Sequence, residues 1–149
     1  MAISNRETYR DALVALFSTS LTGTGKPAQA VYGYMIGDFA GQSPVVVVSS
    51  AGSEREQGAV TSRQKCWFYF NVYTFTLYAQ VGTSWAEDDA EDRSDLLEKT
   101  IAEVIVDNRS TATWSFIELD GRSVVDSVIV AGEEYKRETI PVKILVYDN

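Results

Sequence analysis

The groups able to do chemistry in this 149-residue chain are 21 carboxylates, 13 lysines and arginines, eight tyrosines and one cysteine, with no histidine. Without an imidazole, the commonest general base and metal ligand is missing, and neither a Ser-His-Asp nor a Cys-His arrangement can form. Cys66, being alone, excludes an internal disulfide and a cysteine-based zinc site; set in the middle of an apolar stretch, it reads as a small buried hydrophobe. The run Gly23-Thr24-Gly25-Lys26 has the composition of a phosphate-binding loop, but the first glycine of that motif would fall at Ser20, and Pro27 stands where a metal-holding Ser or Thr belongs. Lys143 alternates with Val142 and Ile144 and is expected to face solvent. The densest carboxylate cluster is Glu87, Asp88, Asp89, Glu91 and Asp92. It lacks the glycine-bearing loop of a calcium motif and reads as acidic side chains favourably placed at the positive end of a helix dipole. No catalytic residue, metal or cofactor is assigned, and the chain reads as a non-enzyme.

A formal charge of -8 argues against tight nucleic-acid binding, which needs clustered Lys and Arg, and against attraction to an anionic membrane. The same charge suits a surface past which DNA moves without sticking. The N-terminal residues include acidic side chains and only a short apolar run, so no signal peptide is expected, and no window approaches the roughly 20 apolar residues of a membrane span. Synthesis and retention in a reducing cytoplasm follow as the expectation.

The elements that must position these groups are organised around residues 65–81, KCWFYFNVYTFTLYAQV, which reads as one very long strand with aromatic or β-branched residues on both faces. At about 3.3 Å per residue it would span roughly 55 Å, more than a domain of this size is wide, so it either bends at a bulge or projects an arm that a neighbour covers. Ser4 and Glu7 form a capping box opening a helix from Asn5 to Phe17. Residues 31–41 suggest a short strand or irregular segment. Val45 to Ser49 is a buried strand, and residues 50–64 read as a polar hairpin loop, solvated or ordered by a neighbouring subunit. Ser84 and Glu87 cap a second helix, Trp85 to Val106, whose buried face is Ala90, Leu97, Ile101, Val104 and Ile105. Trp114 to Leu119 is a strand that turns at Asp120-Gly121 and returns as its partner, Ser123 to Val130. Arg137 to Tyr147 is the last strand, with Pro141 marking an edge or a bulge. The whole, residues 1–149, is expected to be one α+β domain: a mainly antiparallel sheet of four to five strands packed against two helices, with a long hairpin.

This order of elements, together with Gly132-Glu133-Glu134-Tyr135 and Glu138-Thr139-Ile140-Pro141-Val142 near the end, resembles the tail terminator and tail-completion proteins of long-tailed bacteriophages over nearly the whole chain. The resemblance implies a structural virion protein forming a homo-oligomeric ring, usually six copies, on the head-proximal end of the tail tube. There it would stop tube growth and meet the head–tail connector while DNA passes through the lumen, in a particle assembled in the host bacterial cytoplasm. On that reading Glu54, Arg55, Glu56, Gln57 and Arg63 are candidate subunit or tube contacts, with Trp67 and Tyr69 as aromatic anchors. Glu87, Asp88, Asp89, Glu91 and Asp92 would face the lumen or a basic partner. A head–tail connector or stopper subunit and a monomeric α+β binding domain are the alternatives; ring formation separates the last from the others, and the identity of the partner separates the first two.

Overall fold

Alternating apolar residues in long strands, joined to two amphipathic helices, leave one economical solution, in which the helices cover one face of a sheet. In the computed structural model, which describes residues 3–56, 64–78 and 87–148, the order is α1 (Arg6–Leu21), β1 (Ala30–Tyr32), β2 (Val45–Glu56), β3 (Gln64–Leu77), α2 (Glu87–Asp107), β4 (Phe116–Leu119), β5 (Val124–Val130) and β6 (Glu133–Asp148). The architecture is α+β, with a six-stranded sheet ordered β1-β2-β3-β6-β4 and β5 also paired to β6. Among the described strands, only the β1–β2 pair is parallel. Six strands replace the expected four to five, because the short β1 joins and because the β4 and β5 segments both belong to the sheet.

The long aromatic strand neither projects as an arm nor bends alone. Every residue of β3 has a partner on β6, from Gln64 opposite Asp148 to Leu77 opposite Tyr135, and β2 pairs its other edge down to Glu56 opposite Lys65. The bulge falls on β2, between Ser50 and Gly52, where Gly52 takes φ 136°. A side chain rarely adopts that conformation, so glycine is what lets β2 slip a residue and keep pairing. Pairing on both sides also corrects the expected polar loop: residues 50–56 are strand, and only 57–63 of it lie outside the described residues, as do 79–81 of the expected long strand.

Cys66, Phe68, Phe70 and Val72 of β3 are buried against α1, α2 and the inward residues of β6 (Ile140, Val142, Ile144, Val146). Tyr9 of α1 packs on Phe68 with ring centroids 4.6 Å apart. Among the described residues, the opposite face is covered only at its lower end. There residues 33–43 fold back so that Phe39 sits on Phe75 and Tyr135, at 4.9 and 5.4 Å between centroids, closing a second cluster with Val45, Val47, Leu77 and Val130.

Several local expectations change. The N-cap of α1 is Asn5, whose Oδ1 accepts from the Thr8 amide at 3.3 Å; Ser4 instead donates its amide to the Tyr9 hydroxyl. The helix continues four residues past Phe17, because Leu21 adds another buried turn on the same face. Ser84, expected to cap α2 together with Glu87, and Trp85, its expected first residue, lie outside the described residues, while all five residues of its expected buried face are buried. Asp120-Gly121 does not make a hairpin. β4 and β5 run in the same direction along one edge of β6, Leu119 opposite Val142 and Val124 opposite Thr139. Pro141 explains the break. Its carbonyl accepts from Asp120 N at 2.8 Å, so its missing N–H would have pointed to the same side, at the place where the edge strand steps away. The true hairpin joins β5 to β6 through Ala131 (φ 50°) and Gly132 (φ 81°), a two-residue turn with both positions left-handed.

The amino-terminal half of α2 rests on polar ground. Thr74 lies opposite Glu138 and Thr76 opposite Lys136, all four buried, with Ser94 of α2 buried above them. Lys136 is ion-paired to Glu91 and Glu138 accepts from the Ser123 hydroxyl at 2.7 Å. Among the described residues, the Thr74, Thr76 and Ser94 hydroxyls find no hydrogen-bond partner. Burial, aided by the nearby Asp95 and Glu98, pushes the Glu138 carboxyl above its ordinary 4.5. The folded state therefore binds this proton more tightly than the unfolded chain does. Its contribution to stability is full below pH 4.5 and is lost as pH rises through the elevated folded value. We expect Glu138→Gln to raise the melting temperature at pH 7 by about 2–4 °C, corresponding to roughly 1 kcal/mol, and to leave it nearly unchanged at pH 4, as read by circular-dichroism melts. Trp114, buried under α2, donates Nε1–H to the Asn108 carbonyl at 3.0 Å. Trp114→Phe should cost about 1–3 kcal/mol in urea unfolding, because that carbonyl is left without its donor.

Candidate interaction surface

Strand alternation carries one parity of β2, β3, β6 and β4 onto the face that the helices leave bare. Above the second cluster, this face presents Glu54 and Glu56 from β2, Lys65, Trp67, Tyr69 and Asn71 from β3, Lys143, Leu145 and Tyr147 from β6, and Phe116 and Glu118 from β4. The aromatic residues here are half-buried, so each retains surface able to meet another molecule.

The polar groups among them are fixed by one another. Tyr69 donates its hydroxyl to Glu54 at 3.1 Å; burial first, and that carboxylate second, push the phenol above its ordinary value. Lys143 reaches Glu118 at 3.2 Å and Asp120 at 3.8 Å, and its ammonium stands 4.8 Å from the centroid of the Trp67 ring. The hydrogen bond to Glu118 raises its pKa. Lys65 meets Glu56 at 3.1 Å, and Arg109 lies 5.3 Å over the Phe116 ring. Rings held in place by flanking charges lose little further conformational freedom on docking, the arrangement that suits an interface anchor.

Lower on the same face, a groove of about 400 Å³ opens between Met35 and β5, floored by Val47, Tyr73, Phe75 and Val128. Arg137 crosses it, 5.8 Å from the Tyr73 centroid, with a two-pronged bond to Asp126 at 2.9 and 2.6 Å. That guanidinium holds the Asp126 carboxyl below its ordinary 3.8.

Of the candidate contacts, Glu54, Glu56, Trp67 and Tyr69 thus come together on the bare face, on paired strands rather than on a loop. Arg55 does not join them. Strand alternation turns it to the helix side, 5.5 Å over the Phe68 ring, so it belongs to the packing there. Gln57 and Arg63 lie outside the described residues. In the acidic cluster, Glu91 is taken up by Lys136, Asp92 is exposed on α2, and the side chains of Glu87 and Asp88 are outside the described residues. Asp89, the fifth of the group, is half-buried one turn before Arg93. Lys143 faces the bare side as expected, yet its ion pairs make it part of the surface; its spacing to Trp67 across two strands left no trace in local sequence. Glu118, Phe116 and Arg109 were missed for the same reason. Among the described residues, no three of His, Cys, Asp and Glu gather closely enough to hold a metal ion, and no helix is long and apolar enough to cross a membrane. No protein-family description matches the chain, and no curated protein matches it significantly.

Asp126→Asn should cost about 0.2–1 kcal/mol at pH 7, as expected for a partly exposed ion pair. Because the folded pKa is depressed, that contribution is present above pH 3.8 and lost as pH falls through the lower folded value. Urea midpoints of the variant and wild type should differ at pH 7 and converge in strong acid.

Proposed function

We propose that this chain is a ring-forming structural subunit of the bacteriophage neck: a tail terminator that ends tail-tube polymerisation and joins the tail to the head connector. The observation that carries the reading is the bare upper face, where Trp67 and Tyr69 of β3, a long strand paired on both edges, are locked by Lys143 and Glu54. Such a surface offers rigid aromatic anchors with satisfied polar neighbours, suited to standing permanently against another protein. The layout of helices and hairpins noted in the sequence supports the same assignment. Its partners on this reading are other copies of itself, the tail-tube protein and the head–tail connector, with DNA passing through the lumen without specific contacts. The net charge of -8 suits that passage.

The test is direct. Purified protein added to polymerising tail-tube protein should arrest growth and appear as a cap at one end in electron micrographs. Binding to a connector-side adaptor but not to tubes would instead identify a connector or stopper, and binding to neither would leave a monomeric binding domain. Trp67→Ala combined with Tyr69→Ala should weaken capping at least about tenfold, since central aromatic anchors contribute more than 1 kcal/mol each, while the circular-dichroism spectrum stays that of the wild type. Arg55 is unsuitable for such a test, because its guanidinium packs on Phe68.

A further inference from the structure

Besides the short edge strands β1 and β4, two longer strand margins have no partner among the described residues, and they lie on opposite sides of the sheet. One is β5, whose exposed residues include Val124 (61%), Val125 (51%) and Ile129 (75%). It has none of the devices that normally protect an edge: no proline, no lysine and no bulge, and its one charge, Asp126, is neutralised by Arg137. The other is the upper part of β2. β1 pairs only Val45 to Val47, and after Tyr32 the chain turns away across the bare face, leaving residues 48–56 open on that side. The charges there are also already engaged, Glu54 with Tyr69, Glu56 with Lys65 and Arg55 with Phe68.

We infer that β5 of one copy pairs with the open upper margin of β2 in the next, so that the sheets of successive copies join. This rests on the ring reading above and supplies its subunit contact. The polarity is right. β2 and β6 run the same way, both antiparallel to β3, and β5 opposes β6, so the new pair is antiparallel like its neighbours. The contact is also heterologous, using two different margins, and can therefore propagate around a ring. The margins sit at different heights. Ser53 is level with Ile144 through Phe68, whereas Ser127, on the same face, is level with Lys136, a stagger of about eight residues or roughly 26 Å. Over the four strands β2, β3, β6 and β5, spaced about 4.8 Å apart, that stagger tilts the strands by roughly 54°, in the same sense as and steeper than the 35–45° typical of closed sheets. Flat, unstaggered margins would give no such closure.

The experiment mixes protein carrying Ser53→Cys with protein carrying Ser127→Cys under mild oxidation; both positions are exposed and face the helix side of the sheet. A covalent dimer in the mixture, and none from the Ser127→Cys protein alone, is expected. In parallel, Val125→Lys with Ile129→Lys should convert a ring of single native mass into a monomer with unchanged circular dichroism, as these side chains are exposed in the single chain. Rings that survive the two lysines, or a dimer formed by Ser127→Cys alone, overturn the edge pairing while leaving the tube-capping reading intact. A wild-type protein that stays monomeric at high concentration and gives no mixed dimer also overturns it, and tube capping then decides the functional reading separately.

Discussion

The antiparallel ladder between β3 and β6 is the constraint on which the rest of the molecule depends. It runs without a register break for the full length of β3, from Gln64 to Leu77, and so fixes which side chains share a face over the whole sheet. A slip of one residue would send Phe68, Phe70 and Val72 to the bare side and Trp67 and Tyr69 beneath the helices. The hydrophobic burial on the helix side, centred on those residues and on Val142 and Ile144, holds the register. The aromatic and ionic surface on the other side is then a consequence of the same alternation.

Around that ladder, the irregularities sit at the margins. The bulge at Gly52 lets β2 stay paired while its lower half is buried on both faces and its upper half is polar. Pro141 interrupts the opposite margin, separating β4 from β5, so that one edge is broken into a short upper strand and a longer, apolar lower one. Both devices shape the edges without disturbing the central strands. The buried polar patch beneath α2 is a different kind of irregularity. Apolar packing fastens the carboxy-terminal half of that helix through Leu97, Ile101, Val104 and Ile105, whereas its first turns depend on Lys136, Glu91 and the state of Glu138. The first half is accordingly the less firmly held.

How much of this could be read beforehand depended on whether the signal was local. The amphipathic period of α2, the β-rich run of β3 and the valine run of β2 each announce themselves within a dozen residues, and each was placed correctly in type. Residues 50–56 read as loop because serine, glycine and charge dominate them; they are strand because β3 beside them offers an unbroken row of backbone donors and acceptors. Asp120-Gly121 suggested a hairpin by composition, yet the neighbouring β6 was available to pair both flanking segments. Trp67, Tyr69 and Glu54 stand out by residue type, while Lys143, Glu118 and Phe116 join them only through strand pairing across 25 or more residues.

The sequence by itself determined the element types, the absence of imidazole chemistry, the acidic charge and the side chains that would be buried in α2, since those follow from composition and short-range periodicity. Tertiary structure alone decided the partner of β5, the covering of only half of the second sheet face and the stagger of the two open margins. The physical reason is that strand pairing is a long-range choice: backbone groups are the same in every residue, so which strand satisfies them is settled by packing of the whole sheet and not by the residues that do the pairing.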